Sequence, residues 1–530
     1  MIDTIVEQAS VYDGCSPVPT QADVAIVGER IGLIGTLADR EARQRIDGAG
    51  LALAPGFIDV HSHTDELWLV DPRCEGKVVQ GVTTEIGGNC GSSVGPLRGL
   101  ALERRREDAA VYDLPVDWQN LAEFFDEVAR RGVGLNVATL VGLGTTRRSV
   151  RGDREGKLER EELDAEIRLV REAIEQGAIG VSSGLIYTPS RYADIEELSA
   201  CAAAAVRAGA ARYVSHIRSE GDALLEAVHE GLDVGRRAET AVQFSHHKAA
   251  GKKNWGKVHR TLEAIDRARE RSGIDVHADV YPYTASWTEL ATILPDEVRA
   301  GGREPTLERL ADPEIAAATA LRLELDWRGL WHDILISDVP SGRNEELAGK
   351  RLDEIAAGWG LAPARAAIRL LLEERLDPQA IFFTMNEDDV ATVLSAPFTC
   401  IGSDASARAI GGPTAHGVPH PRTFGTFPRV FGRFVRGRHT LELGEAIRRM
   451  TSLPADIFGL RERGRIAVGH YADLVLFDPA KIVDTATYER PYSYPTGIDG
   501  VWVNGCEVVS KGAPTGALPG QVLRGGRPRS

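Results

Sequence analysis

The sequence has little with which to hold a fold together covalently. Its six cysteines, at 15, 74, 90, 201, 400 and 506, are scattered over 530 residues without paired spacing. That pattern fits free thiols in a reducing cytoplasm rather than a disulfide framework. A surplus of positive charge is also missing: 62 Lys and Arg stand against 77 Asp and Glu, a net charge of −15. Binding a phosphate backbone needs a basic surface, so no nucleic-acid partner is expected. An anionic ligand would have to be drawn by local Arg or Lys. No apolar run reaches the ~18 residues of a membrane-spanning helix. The opening Met1-Ile2-Asp3-Thr4 lacks a basic and an apolar stretch, so no signal peptide and no membrane partner are expected.

What is present is ordinary globular material, 43% hydrophobic and 26% charged, ample for a large core. Length alone suggests about two to four domains, but one α/β barrel can use about 250 residues or more. The most telling stretch is Gly56-Phe57-Ile58-Asp59-Val60-His61-Ser62-His63. An apolar run ends in two histidines spaced i, i+2. Side chains two apart on a strand share a face, so both imidazoles can meet one metal ion.

Other apolar runs end the same way. Thr83 to Ile86 leads into Gly87-Gly88-Asn89-Cys90, Tyr213-Val214-Ser215 into His216, and Val242 to Ser245 into His246-His247-Lys248. Phe398 to Ser403 leads into Asp404. Segments between them, such as Glu161 to Glu175 and Ala223 to Ala238, read as helices. Strands alternating with helices imply a parallel sheet, and reactive groups at carboxyl strand ends are what a TIM barrel presents.

Residues 1–54 and 466–530 read instead as short strands and turns, for example Val24 to Val27, Arg30 to Ile34 and Leu474 to Phe477. Two β-rich ends around an α/β centre, 55–465, can pair into one small domain. One stretch, about 287–345, is long, polar and punctuated by Pro295, Pro305 and Pro313. It reads as an insertion over the barrel mouth, where loops carry function. The Gly-, Pro- and Arg-rich tail from Gly512 is expected to be poorly ordered.

Several motifs carry a resemblance. The run Gly56 to His63 and Gly469-His470-Tyr471-Ala472-Asp473-Leu474-Val475 resemble the amidohydrolase superfamily. More specific are Gln80-Gly81-Val82-Thr83-Thr84 with Gly88-Asn89-Cys90-Gly91, Gly184-Leu185-Ile186-Tyr187 and Ser215-His216-Ile217-Arg218-Ser219-Glu220. So are Ser245-His246-His247-Lys248, Tyr281-Pro282-Tyr283 and His420-Pro421-Arg422. In this order, over nearly the whole chain, the set is similar to the N-acyl-D-amino-acid deacylases (D-aminoacylases). The resemblance implies an α/β fold, a distorted TIM (β/α)8 barrel with a small β-sandwich, and Zn2+ at the barrel mouth. By motif match the tight zinc site takes Cys90, His216 and His246. His61 and His63 match a pair that can bind a second, weaker metal, and Asp404 matches the catalytic aspartate.

The residue chemistry agrees. A catalytic zinc needs about three protein ligands and an open position for water, and it lowers the pKa of that water toward neutrality. Cys90 could otherwise be a small buried hydrophobe, and His216 and His246 satisfied core histidines. Adjacent His246 and His247 face opposite sides of a strand, so one of them ligates, and His246 is preferred. His61 and His63 could bind metal or merely hydrogen-bond Asp404 and water. Asp404 is the general-base candidate, with a helix N-cap as its alternative. Tyr187 could donate to an oxyanion or form a wall. Arg422 offers a planar fork for an α-carboxylate, with Lys248, Tyr281, Tyr283 and Ser286 adding charge and hydrogen bonds. His277, His416 and His420 are read as structural.

The leading expectation is a zinc-dependent hydrolase of N-acyl-D-amino acids, a small-molecule substrate. Its rivals are a dipeptidase for peptides with a C-terminal D-residue and a cyclic amidase of the hydantoinase or dihydropyrimidinase type. The latter would show a metal-bridging carbamylated lysine, and no lysine sits where one is needed. Trp287 and Leu290 suggest apolar lining, and Tyr281 to Leu294 holds no arginine for a second carboxylate. Hydrophobic D-residues are therefore expected to be favoured.

Overall fold

The computed structural model describes residues 1–210 and 212–525. Its centre is two parallel sheets. One contains Phe57–Asp59, Val82–Gly87 and Asn136–Thr139. The other runs, in spatial order, Thr399–Ile401, Val276–Val280, Ala241–Phe244, Arg212–His216, Val181–Gly184 and Val141–Gly142. Asn136–Thr139 and Val141–Gly142 are separated only by Leu140, so the sheets are continuous there. On the other side Ser62 pairs in parallel with Ala405, so the sheets also meet at their far edges and form a ring. Every residue of these strands except Ala241 is buried, as expected of parallel strands covered on both faces.

The covering helices follow from their sequence. Asn120 and Asp194 cap Leu121–Arg131 and Ile195–Ala208 by accepting from backbone N–H groups three residues on, both at 3.0 Å, which satisfies an orphan donor of the first turn. Leu224–Ala238 buries Leu224, Ala227, Val228, Gly231, Leu232 and Gly235, one face of a 3.6-residue period. The two helices expected at 161–175 and 223–238 are present as Arg160–Glu175 and Leu224–Ala238.

The chain ends share one nine-stranded sheet. Ile2–Val11 is its branch point, pairing with Thr20–Val27 on one side and with Ala42–Asp47 and Ala52–Pro55 on the other. Ala52–Pro55 then pairs antiparallel with Leu474–Phe477, which is how residues from opposite ends of the chain meet.

Two expectations need correction. The excursion expected at about 287–345 runs further. Ser286–Glu289 pairs with Gln379–Phe382, which also pairs with Ile334–Asp338, so the excursion closes only at Phe382. Its later helices, Leu352–Trp359 and Pro363–Glu373, look locally like ring helices. They pack instead on a separate core that includes Leu290, Leu323, Trp331, Ile336, Leu352 and Leu371. The tail is also better held than its composition suggests. Pro519 and Val522 bridge to Val133 and Val137, and the Gly525 N–H donates to Gly177 O at 2.8 Å. Gly520 permits this approach, because a Cβ there would lie 2.0 Å from the Leu135 carbonyl oxygen. Residues 526–530 lie outside the described residues.

The turn after Val82–Gly87 is equally constrained. Gly88 has φ +72°, and a Cβ on it would stand 2.1 Å from the Leu140 carbonyl oxygen. Gly88→Ala is expected to cost roughly 2–5 kcal/mol, from ~1–2 of left-handed backbone and ~1–3 of overpacking. Thermal unfolding followed by circular dichroism would show a clearly lower midpoint; an unchanged midpoint would refute this constraint.

A candidate metal centre at the carboxyl ends of the strands

His61 and His63 follow Phe57–Asp59, Cys90 follows Val82–Gly87, His216 ends its strand, and His246 lies just past Phe244. Asp404 follows Thr399–Ile401. All therefore sit at the same end of the ring. They form two overlapping groups, Cys90 with His216 and His246, and His61 with His63, Cys90 and Asp404. In each group the ligand atoms all lie within 4.8 Å of one another. Cys90 is common to both, its Sγ 3.4 Å from His61 Nε2 and 3.5 Å from His246 Nε2. Asp404 Oδ1 stands 3.4 Å from His61 Nε2 and 3.1 Å from His63 Nε2. Cys90, His246 and Asp404 all have positive φ, +51°, +35° and +51°. Non-glycine residues are uncommon in that conformation, and three of them meet here.

Both ring nitrogens of His216 are buried and have no hydrogen-bond partner. An unpaired buried polar atom costs about 1–3 kcal/mol, and a metal ion is the partner that a thiol and two imidazoles share. The donor set fits zinc, which takes Cys and His together. Carboxylates orient the neighbouring rings. Asp279 Oδ1 lies 3.0 Å from His61 Nδ1 and accepts the His246 backbone N–H at 2.7 Å. Glu220 Oε1 lies 2.9 Å from His246 Nδ1. Both arrangements leave Nε2 facing Cys90, the usual carboxylate–histidine–metal geometry. Sequence reading missed both roles. A carboxylate inside the apolar run Val276–Val280 was the available signal for Asp279, and Glu220 stood unassigned in a quoted motif.

The electrostatics suit this assembly. Burial pushes the Cys90 thiol up, but His61 and His246 outweigh it and hold the thiol well below its usual range. Burial, then His246, lowers His216, leaving a neutral imidazole. Burial would raise Asp404, yet Arg422, His246 and His61 keep it ionised. Burial, then the Cys90 charge, raises Tyr187 far above the ordinary phenol value, so its hydroxyl keeps its proton and can donate.

A cavity of about 450 Å³ opens on this group and is lined by His63, Cys90, Tyr187, His216, His246, Lys248, Tyr281, Ser286, Asp404 and Arg422. His61 lies behind it, fully buried. Tyr187 OH is 3.0 Å from Thr288 Oγ1. Lys248 Nζ is 2.7 Å from His246 Nδ1. Arg422 is buried, its guanidinium 4.6 Å from the Tyr281 ring centroid. Its Nη1 is 2.8 Å from Asp404 Oδ2, out of line for a hydrogen bond, and its Nε has no partner.

Tyr283 does not belong here. Its N–H donates to Tyr281 O at 3.0 Å, a tight turn that sends the ring away from the cavity. It packs against His420 and under Arg429, with its hydroxyl 3.4 Å from Pro421 O. His247 also points elsewhere, its Nε2 2.7 Å from Thr261 Oγ1. Burial and then Lys248 lower its pKa to about 4. His277, His416 and His420 contact Asp275, Asp338 and the Ala285 carbonyl at 2.6, 2.8 and 3.0 Å. Trp287 lines the cavity, but Leu290 is fully buried in the core of the excursion. Arg148 and Arg408, from outside the 281–294 window, line the cavity as well, which removes the ground for expecting an apolar pocket.

Residues 44–509 match the model of the amidohydrolase family. An N-acyl-D-glutamate deacylase of Alcaligenes xylosoxydans xylosoxydans is 38% identical, over 99% of this chain and 96% of its own. A D-aminoacylase of the same organism is 35% identical, over 98% and 97%. The crystal structure of N-acyl-D-glutamate deacylase from Bordetella bronchiseptica, complexed with zinc and a phosphonate mimic of the tetrahedral intermediate, has a TM-score of 0.83. It is 35% identical and is matched over 99% of each chain.

Because Cys90 joins both groups, Cys90→Ala should lose bound metal, while His247→Ala should keep it. Metal content after gel filtration would decide. Full retention by the Cys90 variant would remove this cysteine from the centre.

Proposed function

The chain belongs to the amidohydrolase family, and from that premise we propose that it hydrolyses the amide bond of N-acyl-D-amino acids, releasing a free D-amino acid and a carboxylic acid. The observation that carries this reading is the partnerless His216 beside Cys90 and His246, opening on the same cavity as Arg422. We further read the joined parallel sheets as a distorted (β/α)8 barrel over about 55–465. The terminal strands, within 1–54 and 466–525, are then one small β-sandwich domain, and the excursion covers the mouth.

Cys90, His216 and His246 would hold zinc, and His61 and His63 with Cys90 a second, weaker metal. Bound there, zinc supplies Lewis-acid activation of the amide carbonyl and of water. Asp404 takes a proton from the attacking water and passes it to the leaving amine nitrogen. Tyr187 donates its hydroxyl proton as a hydrogen bond to the charge developing on the carbonyl oxygen. Arg422 receives the substrate α-carboxylate, supported by Lys248, Tyr281 and Ser286. Since Arg422 already abuts Asp404, a carboxylate on its open edge brings the scissile amide next to the base. Carboxylate, metal and base then fix three points about the α-carbon, so one enantiomer fits.

A dipeptidase releasing a C-terminal D-residue would use the same groups. A cyclic amidase with a bridging lysine is disfavoured, because the buried lysines are already paired with carboxylates, Lys77 with Asp59 and Lys248 with Glu220.

Kinetics on paired N-acetyl-D- and N-acetyl-L-amino acids test the reading. Wild type should hydrolyse the D series; preference for L would overturn the assignment. Asp404→Asn should keep fold and metal while kcat falls by ~10²–10⁴-fold. Arg422→Lys keeps the charge but not the fork and should lower kcat/KM by ~1–3 kcal/mol. An unchanged value would remove Arg422 from the carboxylate site.

A further inference from the structure

Directly behind the centre lies a lysine that takes no part in the chemistry above. Lys77, on the short helix Glu75–Val78, is fully buried. Its ammonium group has three protons, and its nearest acceptors are Asp59 Oδ2 at 2.6 Å, Ser403 Oγ at 2.7 Å and Ala405 O at 2.8 Å, with Ser62 Oγ further off at 3.5 Å. Glu85 Oε2 lies 3.4 Å away. Ser403 and Ala405 are the residues immediately before and after Asp404. One ammonium therefore grips the chain on both sides of the residue read as the general base.

Asp59 completes the grip from below. Its Oδ1 accepts the Ser403 N–H at 2.9 Å and the His61 N–H at 3.2 Å. The Asp404 N–H in turn donates to His61 O at 2.8 Å, and the His63 N–H to Ala405 O at 3.3 Å. Glu85 accepts from the hydroxyl of Ser62, the residue between the two histidines, at 2.8 Å. Asp404 itself holds φ +51°, a conformation uncommon outside glycine. The ammonium–carboxylate pair bonds the residues on either side of it.

We propose that Lys77, paired with Asp59, is a positioning residue for the reaction: it clamps Ser403 and Ala405 so that the Asp404 carboxylate is held in line with His61, His63 and Arg422. The proposal rests on the deacylase reading above and assigns Lys77 no contact with substrate. A lysine suits the task because a single ammonium satisfies a carboxylate, a hydroxyl and a carbonyl at once. Being compact, it fits where the broader guanidinium fork would not.

The test uses zinc-loaded full-length protein. Lys77→Met removes the clamp at similar length. Because it strands the Asp59 charge in the interior, Lys77→Met/Asp59→Asn is made alongside, and whichever variant folds is assayed. The tight-site ligands lie outside the clamp, so zinc should stay near the wild-type amount. The expected result is a fall in kcat per bound zinc of at least ~30-fold, about 2 kcal/mol at 1.36 kcal/mol per tenfold, with KM changed by less than ~3-fold. Simple loss of folded enzyme would lower zinc and activity together and leave kcat per zinc unchanged; such a result overturns the proposal. So does a folded variant whose kcat per zinc stays within ~3-fold of wild type. A wild type with no activity on any N-acyl-D-amino acid would instead sink the functional reading.

Discussion

The structure depends on charge balance among groups that are almost wholly buried. Strand ends that gather thiol, imidazole and carboxylate groups into one buried volume need a counter-charge for each ionised member. Asp279 answers His61, Glu220 answers Lys248 and His246, Arg422 answers Asp404, and Lys77 answers Asp59. Breaking one such pair leaves an uncompensated buried charge, at a cost of about 3–5 kcal/mol. Position and neutralisation are therefore one problem. The residues that keep the centre electrically quiet are those that aim its ligands.

This explains why the centre has depth. Cys90, His216 and His246 face the cavity, while His61, Asp279, Asp59 and Lys77 are sealed behind them. The strand-end backbone is bent into left-handed conformations at Cys90, His246 and Asp404. Those bends persist because the layer beneath holds the chain on either side. The glycine at 88 serves the same end, letting the loop before Cys90 lie against the Leu140 carbonyl.

Much of this was legible in the sequence, and the unreadable part has a physical character. Ligands show themselves because strand periodicity puts His61 and His63 on one face and because apolar runs stop abruptly at Cys90, His216, His246 and Asp404. Partners do not show themselves. His61 meets Asp279 across 218 residues and Lys77 meets Ser403 across 326, and no local pattern encodes such a meeting. Tyr283 was misplaced because a two-residue turn, not strand alternation, sets its direction. The excursion was cut short near 345 because its last helices carry the same amphipathic signature as helices that cover a ring, and only the pairing of Gln379–Phe382 shows where they belong. Arg408 reaches the cavity wall from the loop after Asp404, far in sequence from Tyr281 to Leu294.

The pairing of Ala52–Pro55 with Leu474–Phe477, and the seam of Pro519 and Val522 along Val133 and Val137, have a consequence in time. A ribosome delivers about 5–20 residues per second, so the first strands wait tens of seconds for their partners to be made. Throughout that interval Ala52–Pro55 and the base of the ring present open edges, which invite mispairing with other chains. These edges therefore cannot be closed until residues roughly 400 positions later have been made. The strand Leu474–Phe477 and the seam of Pro519 and Val522 are what shut them.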